Sequence, residues 1–343
     1  MRVIVDVMGG DNAPLEMVKG AVAASKEVNA SFMLVGDRNE IDRIAAEEGY
    51  DLRRFDIVHT PVFMTMEDDP LSVVRAKKDS SMSIGLRLLS EGKGDVFVST
   101  GNTGALFTGA TLIVRKVRGI QRAAIGTVLP TAADPCVLLD AGANVTVTDE
   151  QLEQFAVMGS AYMQKMFDLE APRVGLLNNG TEYNKGNPLQ IETYQLLSES
   201  GLNFVGNIEG KTVPFDTVDV LVTDGYTGNI FLKSIEGMGK FMLELLKDVF
   251  YTNLATQVSA LTMKEKIKKL KQRFDANEHG GAPILGLRSP VIKAHGSSDA
   301  NAIKNAVRQA ISYVETGINE DIRIFAEDYD EKKILADAER MYF

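Results

Sequence analysis

The chain of 343 residues is 45% hydrophobic and 24% charged, enough apolar material for a substantial core in one large domain or two moderate ones. Its 47 acidic side chains outnumber 37 basic ones, and the net charge of -10 argues against general nucleic-acid binding. A lone Cys136 forms no internal disulfide, three histidines are too few for a His-rich transition-metal site, and no apolar run is long enough to span a bilayer. A cytoplasmic setting without a cofactor is expected, with an oxygen-only magnesium site left open.

Short apolar runs at 3–7, 32–35, 96–99, 137–139, 174–177 and 220–223 each end in a Gly-rich or polar turn before a helical pattern. This alternation predicts an α/β fold with a mainly parallel sheet, in which ligands gather where strands end. No repeat or linker marks a boundary, so residues 1–343 read as a single domain. The exception is an apolar helical pattern through Phe231, Ile235, Met238, Met242, Leu245, Val249, Leu254, Val258 and Leu261. Gly237 and Gly239 weaken its start and Thr252-Asn253 offers a break, so residues 228–280 are expected to form a projecting arm of two or more helices.

Within this frame the segment 95–106 brings a buried strand to a loop of small and hydroxyl residues that opens an amphipathic helix. Ser99, Thr100, Gly101, Asn102, Thr103 and Gly104 resemble an anion cradle, although the lysine of a P-loop is missing. A strand-to-helix turn with a helix cap explains the same residues equally well. Similar turns follow at 6–14, 140–144 and 224–229, where each Asp alone reads first as a cap or turn former. A second polar cluster gathers Lys293, His295, Ser297, Ser298 and Asp299 at another strand-to-helix junction. Cys136 lies in an apolar run and reads as a core thiol.

Two basic stretches stand out against the acidic whole. Arg115, Lys116, Arg118 and Arg122 follow the candidate anion-loop helix and suit an acidic partner, or simply a helix C-terminus. Residues 264–273 carry six basic side chains and one acidic, and Met263, Ile267, Leu270 and Phe274 share a helical face beside Lys268 and Lys271. That face suits an anionic membrane, a partner subunit or an acidic protein.

Taken together the stretches DVMGGDNAP from Asp6, STGNTGAL from Ser99, LLDAGAN from Leu138, KGNPL from Lys185, GNIEG from Gly206, VTDGYTGNIFLKSIEG from Val222 and GGAPILGLRSPVIKAHGSSDA from Gly280 resemble the bacterial phosphate acyltransferase family, PlsX, over essentially the whole chain. Departures fall at Asn179, Thr181, Tyr183 and Asn184, in a segment that is more acidic in the family, and at Ser289, where the family has Gly. The resemblance implies a three-layer α/β/α homodimer, like isocitrate and isopropylmalate dehydrogenases and phosphate acetyltransferases, associated peripherally with the membrane. It further implies transfer of a fatty acyl group from acyl carrier protein to inorganic phosphate, feeding a membrane glycerol-3-phosphate acyltransferase in phospholipid synthesis. With phosphate as the nucleophile no covalent triad is needed. The loops at 99–104 and 295–298 are then expected to hold phosphate, Lys185 to offset developing charge, Asn229 to polarise the thioester, His295 to move a proton, and Asp224 or Asp299 to orient neighbours. A coenzyme A-dependent phosphate acetyltransferase, a decarboxylating dehydrogenase and a non-catalytic carrier-binding scaffold are the rival readings.

Overall fold

The computed structural model describes all residues except 133, 216, 254–255, 258–261, 268–269, 271–279 and 342–343, with 330–341 described by backbone alone. The strands fall into two sheets. The first contains β1 (Arg2–Asp6), β2 (Ser31–Gly36), β3 (Phe55–His59), β4 (Val96–Ser99) and β5 (Ala124–Ile125). The second contains β6 (Thr127–Leu129), β7 (Cys136–Leu139), β8 (Val174–Asn178), β9 (Phe204–Glu209) and β10 (Val220–Val222). The chain then returns to the first sheet as β11 (Ala282–Leu285) and β12 (Val291–Lys293). The orders are β3-β2-β1-β4-β12-β11-β5 and β6-β7-β10-β8-β9. Pairing is parallel except where β11 meets β12 and β5, and where β6 meets β7.

Continuous apolar runs become strands because both faces of the sheets are covered. In β1, Val3 and Val5 pack in a cluster that contains residues of α1 (Leu15–Ser25) and α8 (Ala300–Glu315). Ile4 points the other way, into a cluster with Phe97 and with Leu86 of α3 (Ser81–Ser90). That second cluster also holds Leu138 and Leu221 from the other sheet, so one apolar core runs between the two sheets and makes them a single unit. Only Gly126 separates β5 from β6, and the chain changes sheet there. Behind the second sheet lies α5 (Asp149–Phe167), opened by a capping box in which Thr148 and Gln151 each satisfy the other's backbone.

Helix α7 (Gly225–Phe250) starts at the C-terminal edge of the second sheet and projects from it. It ends before Thr252-Asn253, at the break expected from sequence, whereas Gly237 and Gly239 do not interrupt it. Ile230, Met238, Phe241, Met242, Leu245 and Val249 are all exposed along it. Leu254, Val258 and Leu261 lie outside the described residues, and the chain is helical again at 262–267.

The root of α7 runs unusually close to the loop after β7: a Cβ at Gly228 would collide with the Asp140 carbonyl oxygen. Gly237, in the same helix, has open space around it. Gly228→Ala is therefore expected to lower stability by about 1–3 kcal/mol in urea unfolding. Gly237→Ala should raise it by roughly 0.5–1 kcal/mol. Equal effects at the two positions would contradict the close approach.

Candidate active site

In the first sheet β1, β4 and β12 are neighbours, so the loops after them meet at one edge. The buried Asp6 carboxylate accepts the Ser99 hydroxyl at 2.7 Å and the Met8 amide at 3.2 Å. Thr100 Oγ1 donates to the Gly9 carbonyl at 2.5 Å, and the Asp11 amide donates to the Gly296 carbonyl at 2.8 Å. The Asn12 side-chain amide reaches the carbonyls of Ser297 at 3.1 Å and Ser298 at 3.3 Å. These bonds tie all three loops into one surface.

The second sheet presents an answering surface built on Asp140. Its carboxylate, buried after β7, accepts the amides of Ile125, Gly142, Ala143 and Asn144 at 2.6–3.1 Å and the Asn144 side chain at 2.8 Å. Burial pushes both the Asp6 and Asp140 carboxyls up from the ordinary range, and the hydrogen bonds they accept oppose that shift. Between the two surfaces opens a cleft of about 400 Å³. Gly101, Thr103, Lys293 and His295 line its first wall, and Gly142, Asn229 and Lys233 its second.

Lys293, at the end of β12, is the principal cation of this cleft. Its ammonium donates to the carbonyls of Thr100, at 3.3 Å, and Ala294. Burial lowers it from 10.5 to about 8, with the nearby Lys233 charge acting in the same direction and Asp11 and Asp6 against it. Burial and the Lys293 charge also lower His295 below its usual value. The His295 Nδ1 accepts the Ser297 amide at 3.3 Å and faces the Ser297 hydroxyl at 2.9 Å. That engagement assigns the proton of the neutral ring to Nε2. An ammonium, an imidazole N–H and the Thr103 amide that opens α4 (Thr103–Gly109) thus line one cleft, which is a setting for an anion.

The other residues singled out from sequence fall elsewhere. Ser99 and Thr100 are buried with their hydroxyls turned into the loop framework, and Asn102 caps α4 through the Ala105 amide at 3.0 Å, so they shape the cradle from behind. Gly104 is exposed beyond the cleft wall. Asp224 caps α7 through Thr227, and Asp299 caps α8 through the Ala302 amide at 2.8 Å. Glu16 takes the Ala300 amide at 2.8 Å, so carboxylates already occupy the α8 N-terminus beside Ser297 and the buried Ser298. Lys185 is exposed on the loop after β8 and does not line the cleft. Arg115, Arg118 and Arg122 are exposed, but the half-buried Lys116 turns inward to the Gln121 carbonyl at 2.5 Å. In the basic arm Ile267 lines a groove against Leu243, Leu246 and Phe250, while Leu270 is exposed; Lys268, Lys271 and Phe274 lie outside the described residues. Lys293 and Lys233 carry no signal in the sequence that marks them out for a role; the fold brings them to the cleft. Among the described residues there is no cluster of three metal-ligating side chains, and no helix is long and apolar enough to cross a membrane.

Residues 1–321 match the family described as "Fatty acid synthesis protein". A phosphate acyltransferase of Acetivibrio thermocellus is 45% identical over 94% of this chain and 96% of its own length. The chain belongs to the phosphate acyltransferase family. A second relative, the phosphate acyltransferase of Clostridioides difficile, is 41% identical over 97% of this chain and 98% of its own length. The chain is therefore an acyltransferase of lipid synthesis. Its fold is that of a phosphotransacetylase from Streptococcus pyogenes, with a TM-score of 0.62 at 17% identity over 92% of this chain and 94% of that one. A 4-hydroxythreonine-4-phosphate dehydrogenase from Klebsiella pneumoniae shares it with a TM-score of 0.53 at 11% identity over 91% of this chain and 99% of that one.

Because the Lys293 pKa is depressed in the folded acyltransferase, its charged form destabilises the fold below about pH 8, and the penalty fades as pH rises from about 8 toward 10.5. Lys293→Met should accordingly raise the melting temperature at pH 7, with the gain shrinking as pH approaches 10.5. A gain independent of pH, or a loss at pH 7, would contradict a desolvated ammonium.

Proposed function

We propose that this cleft forms acyl phosphate from the thioester of an acyl carrier protein and inorganic phosphate. The observation that carries the reading is the half-buried Lys293 ammonium in one cleft with His295 and the Thr103 amide, where the described lining residues include no Cys or Ser nucleophile. Phosphate held there is its own nucleophile. One of its oxygens attacks the acyl carbon, the C–S bond breaks, and the carrier thiol leaves with the proton that hydrogen phosphate brought. Asn229, which lines the facing wall, donates in this reading to the oxyanion of the tetrahedral intermediate. Lys293 offsets the charge of the attacking phosphate, and positioning replaces covalent catalysis.

Arg115, Arg118 and Arg122 support docking of an acidic carrier, and Arg288 joins them: its amide donates to the Arg115 carbonyl at 2.9 Å and its Nε to the Lys116 carbonyl at 3.2 Å. The exposed apolar stripe of α7 supports a homodimer. Exposed Leu270, with Lys264 and Lys266, supports contact of the arm with an anionic membrane, where a glycerol-3-phosphate acyltransferase consumes the product.

Purified protein mixed with palmitoyl-acyl carrier protein should release carrier thiol and form palmitoyl phosphate, read by mass spectrometry, only when phosphate is present. Thiol release without acyl phosphate would replace this reading with a thioesterase. Lys293 loses its charge near pH 8, so kcat/KM for phosphate should fall above that pH. Lys293→Arg, which stays protonated, should move that limb to higher pH even where its overall rate is lower. Arg118→Glu with Arg122→Glu should raise the KM for the carrier about tenfold or more and leave that for phosphate unchanged. Equal effects on both substrates would exclude docking at this patch.

A further inference from the structure

The cleft-lining residues of α7 are Asn229, Leu232, Lys233 and Glu236, at offsets 0, 3, 4 and 7, so they share one face of the helix. Packing on both sides fixes that face. A Cβ at Gly142 would lie 3.4 Å from Asn229 Cβ and Cγ, so this side chain rests directly on the loop after β7. Phe231 lies against Gly210, where a Cβ would stand 2.8 Å from its ring, and Phe231, Leu232 and Ile235 all pack on the core between the sheets. The helix leaves the body only beyond these turns, where Met238, Phe241 and Met242 are exposed. Lys233, one helical turn from Asn229, therefore holds a cation on the second wall, with its side chain 56% exposed and its ammonium paired to the Glu236 carboxylate at 2.8 Å. Its charge reaches across the cleft, acting to lower the pKa of both Lys293 and His295. The binding of phosphate on the first wall makes no use of it.

We propose that Lys233 is a catalytic residue for the acyl half of the reaction, its ammonium donating with Asn229 to the oxyanion that forms on the thioester carbonyl. The inference rests on the acyl-transfer reading of the cleft and divides the cleft's two cations between its walls, Lys293 for phosphate and Lys233 for the acyl group. As a phosphate oxygen bonds to the acyl carbon, the carbonyl π pair moves onto its oxygen. When that pair returns, the C–S bond breaks and its electrons leave with the carrier sulfur, which takes the proton that phosphate brought. Lys233 stays protonated throughout. Full negative charge on the carbonyl oxygen exists only between the two events, so a cation on that wall raises kcat without tightening the bound ground state. In the empty cleft the Glu236 carboxylate, three residues along the same face, balances the charge and keeps the exposed lysine at the wall.

The test is steady-state kinetics with palmitoyl-acyl carrier protein and phosphate for the parent protein, Lys233→Met, Lys233→Arg and Lys240→Met. Lys240 is exposed on α7 and does not line the cleft, so its variant removes the same charge outside the site. At pH 7, Lys233→Met should lower kcat at least about tenfold, the scale of a lost charged hydrogen bond, and change the KM for phosphate by less than about threefold. Lys233→Arg should recover most of that loss, and Lys240→Met should stay within about twofold of the parent. In Lys233→Met the fall of kcat/KM for phosphate at high pH should also begin at a higher pH than in the parent, because Lys293 has lost a neighbouring positive charge. A raised KM for phosphate with kcat intact, an equal loss in Lys240→Met, or an unmoved high-pH limb overturns the inference while leaving acyl phosphate formation intact. Absence of phosphate-dependent turnover by the parent protein overturns the underlying reading and the inference with it.

Discussion

The second wall of the cleft, and its junction with the first sheet, depend on one buried carboxylate. Asp140 belongs to the second sheet, yet it accepts the Ile125 amide of the first, and the Ala141 amide returns a bond to the Ile125 carbonyl at 2.9 Å. The same carboxylate gathers the amides of residues 142–144, whose Asn144 carbonyl receives Gly225 at 2.7 Å and so seats the start of α7. A carboxylate in this position costs desolvation, and the hydrogen bonds it collects offset that cost only while both sheets hold their places. The spacing of the cleft walls is therefore set by a hydrogen-bond cluster at its floor rather than by the projecting arm above it.

On that floor the distribution of charge selects where an anion binds. The α8 N-terminus, although rich in hydroxyls, is already neutralised by Asp299 and Glu16. The α4 N-terminus is capped by the neutral side chain of Asn102 and keeps its positive end for a ligand. Lys293 adds a full charge at reduced solvation, which strengthens its attraction for phosphate and at the same time places its proton loss close to physiological pH. His295 contributes a neutral N–H, so it adds a directed hydrogen bond without a second charge to desolvate. Such a site binds phosphate by charge and direction and leaves the nucleophilic oxygen free to face the acyl carbon.

The six apolar runs read from sequence are all strands, because residues such as Val3, Ile4 and Val5 are buried on both faces and leave a continuous signature. The two-residue β5 and three-residue β6 carry no such signature; hydrogen bonds to distant partners define them, and with them the division into two sheets. The cradle loop was legible as a cap or as an anion site, and the structure makes Asn102 the cap while Gly101 and Thr103 face the cleft. Asp224 and Asp299 had the spacing of helix caps, and they cap helices. Lys293 was visible in a polar cluster, but its importance comes from burial between β12 and the Thr100 carbonyl, a contact between residues far apart in the chain. Lys185 shows the converse: a lysine in a family-like stretch whose side chain this fold leaves on the surface.

The most direct test of the account is a crystal structure of the protein soaked with inorganic phosphate, paired with calorimetric titration of phosphate into the parent and Lys293→Met proteins. Phosphate should sit between Lys293 Nζ, His295 Nε2 and the Thr103 amide, and its affinity should fall at least about tenfold in the variant, the scale of a lost charge-assisted contact. Phosphate bound at Ser297 and Ser298 instead, or bound equally well without the lysine, would contradict it.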